Sequence, residues 1–393
     1  MRGLEVQMDS ISNDYGNGTL ANDIRSRIYR GINGLDVHFL EAGYSDENRP
    51  LVVLLHGFPE LAYSWRKVIP SLAGAGYHVI APDQRGFGRT LGGDHSYIQD
   101  LSSYSRVNLV RDILALVFAL GYSSVDCIIG HDSGAGVAGW ASLIRPDVFK
   151  SVILMSAPFS GPPEMNFGTH GDIAENMIQP DTISDDLALL PSPRKHYQDY
   201  YRTSHANDDM MNCVQGLHAF IRGYYHYKSA DWKGNTPFPL KSWTPKELAK
   251  MPTYYIMDLH DDMAQVVDKE MASQEEILSC KWLTETELEV YVLEYGRTGF
   301  QGGLNWYRSG ASTENRQQLE VFSGKKIDLP SLFIAGAQDW GPYQRPGSLE
   351  RMQQDICTNM PRIEFVDNAG HWVQQEQPEK VADLVLGFMS GLA

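Results

Sequence analysis

The sequence predicts an α/β fold in which a mostly parallel, twisted sheet is flanked by helices and the chain is interrupted by a long helical insertion. Three observations predict it. Short apolar runs bounded by turn residues recur in the first part of the chain, stretches of helical length separate them, and the same pattern resumes near the C-terminus. This alternation is typical of a parallel sheet covered on both faces. With 393 residues, 42% of them hydrophobic, the chain can bury a large core.

The predicted strands are short and apolar, as expected for strands that are buried on both faces. The segment Ser105–Tyr122, between the second and third of them, is amphipathic and of helical length. The chain ends in another helical segment, PEKVADLVLGFM. The segments with strand character are Leu51–Leu55, His78–Ala81, Val125–Ile129, Val152–Met155, Leu329–Asp339 and Arg362–His371.

From about Pro158 to Lys326 the strand pattern is interrupted and the composition becomes rich in Tyr, Met and Trp. Helical segments such as TETELEVYVLEYG alternate there with Pro- and Gly-rich breaks. One domain is therefore split by a helical lid. The predicted divisions are an N-terminal extension (1–25), the first part of the core (26–160), the lid (161–325) and the second part of the core (326–393).

Composition narrows the class of partner. The formal net charge is −16, from 33 Lys and Arg against 49 Asp and Glu, and no basic run stands out, which argues against nucleic acid. The N-terminus lacks the apolar core of a signal peptide, and no segment approaches the roughly 18 to 20 apolar residues of a membrane span. The four cysteines show neither a CxxC pair nor metal-ligand spacing. We expect a soluble cytoplasmic protein, a monomer or homodimer, that needs no metal or cofactor.

Polar motifs follow four of the predicted strands. In doubly wound sheets a ligand binds at the carboxyl ends of the strands, so these motifs mark the expected site. The motifs are HGFPE after Leu55, GHDSGA after Ile129, AQDWG after Ile334 and NAGHW after Phe365.

The GHDSGA motif offers two adjacent nucleophiles, Asp132 and Ser133. A sharp strand-to-helix turn with an exposed nucleophile requires small residues two positions before and after it. Gly130 and Gly134 satisfy this requirement for Asp132, whereas His131 violates it for Ser133. We therefore assign the nucleophile to Asp132 and a backbone N–H of the oxyanion hole to Ser133. An isolated Asp at this position would more often cap the following helix.

Two further residues complete a catalytic set with Asp132. Asp339 and His371 follow the last two predicted strands, which gives the chain order nucleophile, acid, base. A single late histidine is more often a packing residue, and it is the ordered set that favours catalysis. The HGFP motif, which is also compatible with a simple turn, supplies the Phe58 N–H as a second oxyanion donor.

These motifs, with APDQRGFGRT at residues 81–90, resemble the α/β-hydrolase superfamily, and in particular its epoxide hydrolases, over about residues 26–160 and 326–393. The lid segment TGFQGGLNWYR resembles the epoxide-hydrolase segment whose tyrosine protonates the epoxide oxygen, which implies that role for Tyr307. The segment HYQDYY is similar to a second such segment and selects Tyr197, with Tyr200 and Tyr201 as alternatives. A single tyrosine in so Tyr-rich a lid is more often a packing residue.

The resemblance implies a two-step hydrolysis of a small, apolar epoxide. A carboxylate with an ordinary pKa of about 3.9 is ionised at neutral pH and can attack an epoxide carbon directly. The two tyrosines donate hydrogen bonds and a proton to the oxygen, and His371, oriented by Asp339, activates the water that cleaves the ester to a vicinal diol. Substrate binding is assigned to five motif residues: His56, Pro59, Trp306, Trp340 and Trp372.

Three alternatives stay open from the sequence. Ser133 stands where many relatives carry the halide-binding Trp of haloalkane dehalogenases, which argues against that activity. A haloacid dehalogenase would want cationic residues beside Asp132, where the sequence has Ser133, Gly134 and Ala135. A non-catalytic ligand-binding protein on the same fold is also considered, and an esterase that uses Ser133 is least favoured.

Overall fold

A computed structural model describes residues 15–46, 48–165 and 182–392. Within these ranges the chain forms ten β-strands, eight of which belong to one sheet. The strands are β1 Arg25–Ile32, β2 Leu35–Ala42, β3 Leu51–Leu55, β4 His78–Pro82, β5 Cys127–His131, β6 Val152–Met155, β7 Arg194–His196, β8 Ile256–Asp258, β9 Ser331–Gly336 and β10 Ile363–Val366.

Sixteen α-helices are present in the same described ranges. Those of the core are α1 Ile69–Gly74, α2 Arg106–Ala119, α3 Ser133–Ile144, α14 Ser348–Arg351, α15 Val373–Glu376 and α16 Pro378–Ser390. Those between β6 and β9 are α4 Ile183–Ala188, α5 Tyr197–Tyr201, α6 Ala206–Met211, α7 Leu217–Lys228, α8 Pro245–Leu248, α9 Met263–Asp268, α10 Gln274–Ser279, α11 Glu285–Thr298, α12 Gln301–Ala311 and α13 Thr313–Glu320.

The large sheet has the strand order β1-β2-β4-β3-β5-β6-β9-β10. The pairs β1·β2 and β2·β4 are antiparallel, and the remaining neighbours are parallel. The central strands β3, β5 and β6 are buried at every position, which explains their continuous apolar sequences. The predicted α/β fold is confirmed, and the carboxyl ends of β5, β9 and β10 bring three of the polar motifs to one edge.

The segment between β6 and β9 forms a helical cap that also contains the antiparallel ribbon β7·β8. Its helices α7 and α11 pack against each other. The exact domain limits predicted from composition stay a prediction.

The described part of the N-terminal extension packs on the core. Tyr15 is buried, and its ring lies 4.8 Å from His38 and 6.1 Å from Tyr63, measured between ring centroids. Its first 14 residues lie outside the described ranges. In the described part of the chain, no helix has the length and apolar character that crossing a membrane would require.

Candidate active site

The turn between β5 and α3 holds Asp132 in a strained conformation. Its backbone has φ 51° and ψ −120°, and its side chain does not cap α3. A Cβ atom added to Gly130 would lie 2.2 Å from the carbonyl oxygen of Gly134, and one added to Gly134 would lie 2.5 Å from that of His56. Both flanking positions therefore exclude any larger residue. Strain of this kind is characteristic of functional turns, and it presents the Asp132 carboxylate to the pocket.

The Asp132 carboxylate lies between a backbone donor and a histidine. The Phe58 N–H donates to Asp132 Oδ1 at 3.1 Å, and His371 Nε2 lies 3.5 Å from Oδ2. The other ring nitrogen of His371, Nδ1, lies 3.1 Å from Asp339 Oδ1. Since 3.5 Å is too long for a good hydrogen bond, Nε2 has no hydrogen-bond partner within the described ranges and can accept a proton from water.

Both carboxylates are held in their ionised form. Burial raises the pKa of Asp132, but His371, Lys228 and His131 outweigh it and keep that pKa well below its ordinary value. Burial acts likewise on Asp339, where the charge and hydrogen bond of His371 lower the pKa further than burial raises it. Asp132 is therefore ready to act as a nucleophile without a base.

Ser133 is the first residue of α3, where a backbone N–H has no acceptor within the helix. It is thus placed as a donor beside Asp132. Its hydroxyl oxygen is buried and has no hydrogen-bond partner in the described structure, so it does not contact His371. A serine nucleophile needs that contact, and the geometry disfavours the esterase alternative.

Two lid tyrosines, Tyr197 and Tyr307, line the same pocket as Asp132, and their ring centroids are 6.0 Å apart. The Tyr197 hydroxyl donates to Gln344 Oε1 at 3.1 Å and accepts from Gln198 Nε2 at 3.1 Å. Burial is the main cause that raises the pKa of both phenols, and the Asp132 charge adds to it. Both are protonated at neutral pH and can donate.

The alternative tyrosines are occupied elsewhere. The Tyr200 hydroxyl donates to Asp209 Oδ2 at 3.1 Å, and the Tyr201 hydroxyl lies 3.0 Å from that of Tyr224. Neither lines the pocket of Asp132. The geometry therefore favours Tyr197 over both.

Of the five residues assigned to substrate binding, Trp306 lines the pocket and four do not. His56 is fully buried, with Nδ1 2.8 Å from the Gly57 oxygen and Nε2 accepting from the Gln84 N–H at 3.1 Å. Its ring therefore holds the loop. The assignment ignored that strand-end motifs also carry residues that face the core.

The other three also pack inside the protein. The Pro59 carbonyl accepts from the Tyr225 hydroxyl at 2.8 Å, and Trp372 stacks on the Tyr225 ring at 4.4 Å. Trp340 packs edge-on against Phe238 at 5.0 Å. We correct all four to structural residues, because their rings and carbonyls are used in packing and hydrogen bonding away from the pocket.

Several residues near the site were missed by the sequence analysis. Glu60 Oε2 lies 2.6 Å from His131 Nδ1, and His131 Nε2 lies 2.7 Å from the carbonyl oxygen of His371, so this buried pair supports the base. Both belong to the quoted motifs HGFPE and GHDSGA, which was the available signal. Gln344 and Lys228 carried no such signal, because only the folded chain brings them to Asp132 and His371.

The pocket has a volume of about 490 Å³ and extends from Asp132 and Ser133 along α3 to the lid. Among the residues that the structure describes, no group of three His, Cys, Asp or Glu side chains could hold a metal ion. The chemistry argued below uses only the side chains of the chain itself.

Comparison with known proteins assigns the family. A sequence model of the family described as alpha/beta hydrolase fold matches residues 50–378. Epoxide hydrolase B of Mycobacterium tuberculosis is 31% identical over 377 residues, which cover 93% of this chain and 99% of that protein. Epoxide hydrolase A of the same organism is 32% identical over 364 residues, covering 92% and 96%.

Solved structures agree with this assignment. An epoxide hydrolase from an endophytic Streptomyces superposes with a TM-score of 0.73 at 27% identity, covering 95% of this chain and 97% of that one. Epoxide Hydrolase A from Mycobacterium thermoresistibile gives a TM-score of 0.70 at 32% identity, covering 94% and 98%. By sequence and by fold, the chain belongs to the α/β-hydrolase family and, within it, to the epoxide hydrolases.

Proposed function

We propose that this epoxide hydrolase opens its substrate through a covalent ester on Asp132. One carboxylate oxygen attacks an epoxide carbon, the C–O bond of the ring breaks, and Tyr307 and Tyr197 stabilise and protonate the released oxygen. The strained turn holds the carboxylate towards the pocket, and the two phenols face it from the lid. Ring opening therefore needs no prior proton transfer from the nucleophile.

Hydrolysis of the ester uses a different group. His371 Nε2 removes a proton from water, which attacks the ester carbonyl carbon, while Asp339 stabilises the charged ring. The N–H groups of Phe58 and Ser133 stabilise the oxyanion, and its collapse releases the diol and restores the Asp132 carboxylate. The observation that carries this proposal is the position of Asp132 Oδ1 and Oδ2 between the Phe58 N–H and His371.

We further propose that the body of the substrate is apolar and that the enzyme works in the cytoplasm as a monomer or homodimer. Trp140, Phe159 and Trp306 line the pocket and support an apolar body. The cysteines Cys127, Cys213, Cys280 and Cys357 are free thiols, as expected in a reducing compartment.

The experiment that tests the proposal is the His371→Gln variant. Because ring opening does not use the histidine, the variant should react once and then stall as the ester. Peptide mass spectrometry should then find the whole mass of the epoxide on the peptide that contains Asp132, since ring opening expels no leaving group.

The matched control is the double variant Asp132→Asn, His371→Gln, which should gain no mass under the same conditions. Added mass on another residue, or a first diol whose new oxygen comes directly from ¹⁸O-labelled water, would contradict the nucleophilic role of Asp132. A gain equal to substrate minus hydrogen halide, with halide released from a halogenated compound, would indicate a dehalogenase.

A further inference from the structure

The pocket of Asp132 also contains cationic groups that the reaction does not use. Arg106, Arg202, Arg316 and Arg345 line it, and Asp132 is the one acidic side chain in that lining within the described ranges. A second cavity of about 460 Å³ shares Arg106 and Arg316 with it, so the cleft continues beyond the lid tyrosines. The clustering is notable in a chain whose net charge is −16.

Arg106 is the innermost of these groups. Its Nη1 atom is buried and has no hydrogen-bond partner in the part of the chain that the structure describes. A Cβ atom added to Gly136 would lie 3.8 Å from this nitrogen, so the guanidinium lies against the first turns of α3. Ser133, whose hydroxyl oxygen is also buried without a partner, lines the same pocket three residues before Gly136.

A buried cation without a partner is unfavourable, and here the helix adds to the cost. Arg106 is the first residue of the 14-residue helix α2, where the helix dipole disfavours positive charge. Burial lowers the pKa of Arg106, which the charges of Tyr307 and Asp132 raise. No described residue compensates it with an ion pair, so a negative group from a ligand would be strongly stabilised there.

The outer arginines extend the same field to the solvent. Arg316 and Arg345 are exposed, and neither forms an ion pair within the described ranges; Arg345 lies over the ring of Trp243 at 5.0 Å. Arg202 is different, because Asp199 pairs with it. Two unpaired cations at the mouth would attract an anion and guide it past the negative surface of the protein.

We propose that the substrates are epoxides that carry a carboxylate, and that Arg106 binds this carboxylate while the epoxide lies at Asp132. This inference rests on the proposed function and adds the substrate class. A carboxylate accepts the hydrogen bonds that Arg106 Nη1 and the Ser133 hydroxyl lack. The positive charge also offsets the repulsion between the substrate and the ionised Asp132, so that an acidic molecule can enter the site.

The test compares terminal epoxy fatty acids with their methyl esters, which share the epoxide and the chain. The enzyme should favour the acid in kcat/KM, and added salt should weaken this preference because exposed charges are screened. In Arg106→Gln the ratio of kcat/KM for acid over ester should fall by about 10- to 100-fold, the scale of a hydrogen bond to a charged group, mainly through KM. Arg106→Lys should recover part of the preference.

Arg111→Gln is the matched control, since Arg111 lies on the same helix outside the pocket and should keep the preference. Turnover of both compounds without preference for the acid, or an unchanged ratio in Arg106→Gln, would overturn this inference and leave the proposed function intact. If no epoxide is converted to a diol, the proposed function fails and the inference falls with it.

Discussion

The two lid phenols differ in what their hydroxyls contact, and this difference separates their roles. Tyr197 is hydrogen-bonded to Gln344 and Gln198, whereas Tyr307 lines the pocket without a hydrogen bond to any described residue. The free hydroxyl is better placed to transfer its proton. Tyr307→Phe should therefore slow ester formation by roughly 10² to 10⁴, the scale of general-acid catalysis. Single-turnover kinetics with mass detection of the ester measure this step.

Tyr200→Phe is the control for that experiment, because the Tyr200 hydroxyl is bound to Asp209 and does not line the pocket. It should form the ester at nearly the rate of the unmodified enzyme. An undiminished rate in Tyr307→Phe together with a strong loss in Tyr197→Phe would give the main proton-donating role to Tyr197.

At the scale of elements, the turn between β5 and α3 depends on its two glycines. In Gly130→Ala the new Cβ would meet the Gly134 carbonyl oxygen at 2.2 Å, so the turn must shift and carry Asp132 with it. We expect a loss of about 1 to 3 kcal/mol in the free energy of unfolding, typical of overpacking. Displacement of the nucleophile should cost roughly 10² in the rate of ester formation.

The control substitution is Gly387→Ala in α16, where an added Cβ meets nothing within 4 Å. It should raise the free energy of unfolding by about 0.5 to 1 kcal/mol, because alanine is the better helix former. Urea unfolding measures both variants. Equal stability of Gly130→Ala and the unmodified protein would show that the turn can relax without the strain described for it.

Local rules made the turn readable from the sequence, and their absence limited the rest. The spacing of Gly130 and Gly134 is a short-range steric requirement, so the register of Asp132 followed from six letters. The order of the core strands followed from alternating apolar runs. Gln344 and Arg106 could not be found in this way, because each comes from a different element and meets the pocket only through tertiary packing. The same limit misled the assignment of His56.

At the scale of the whole molecule, the lid and the core share the catalytic base. The backbone carbonyl of Lys228, at the end of lid helix α7, accepts from the His371 N–H at 2.9 Å. Its Nζ lies 4.7 Å from the centroid of the Tyr255 ring and 5.7 Å from that of Trp372. Closure of the lid thus fixes the loop of His371 and buries a cation near Asp132.

This buried cation gives the folded protein a measurable dependence on pH. Burial lowers the pKa of Lys228 to about 8, despite the opposing charges of Asp132, Asp339 and Glu60. An unfolded lysine has a pKa of about 10.4. Between these values the unfolded chain binds more protons, so Lys228 destabilises the fold fully below about pH 8, and this penalty disappears as the pH rises towards 10.4.

Lys228→Met removes the titrating group and keeps the length of the side chain. The free energy of unfolding of the variant minus that of the unmodified protein should therefore fall by about 2 kcal/mol between pH 7 and pH 10, because only the unmodified protein loses the penalty. Urea unfolding at both pH values measures this difference, in which the other titrating groups cancel. Lys233→Met, at an exposed lysine five residues further along, should show a much smaller change. If the Lys228→Met difference were equal at the two pH values, the lysine would have its ordinary proton affinity, and the lid would not bury it against the core.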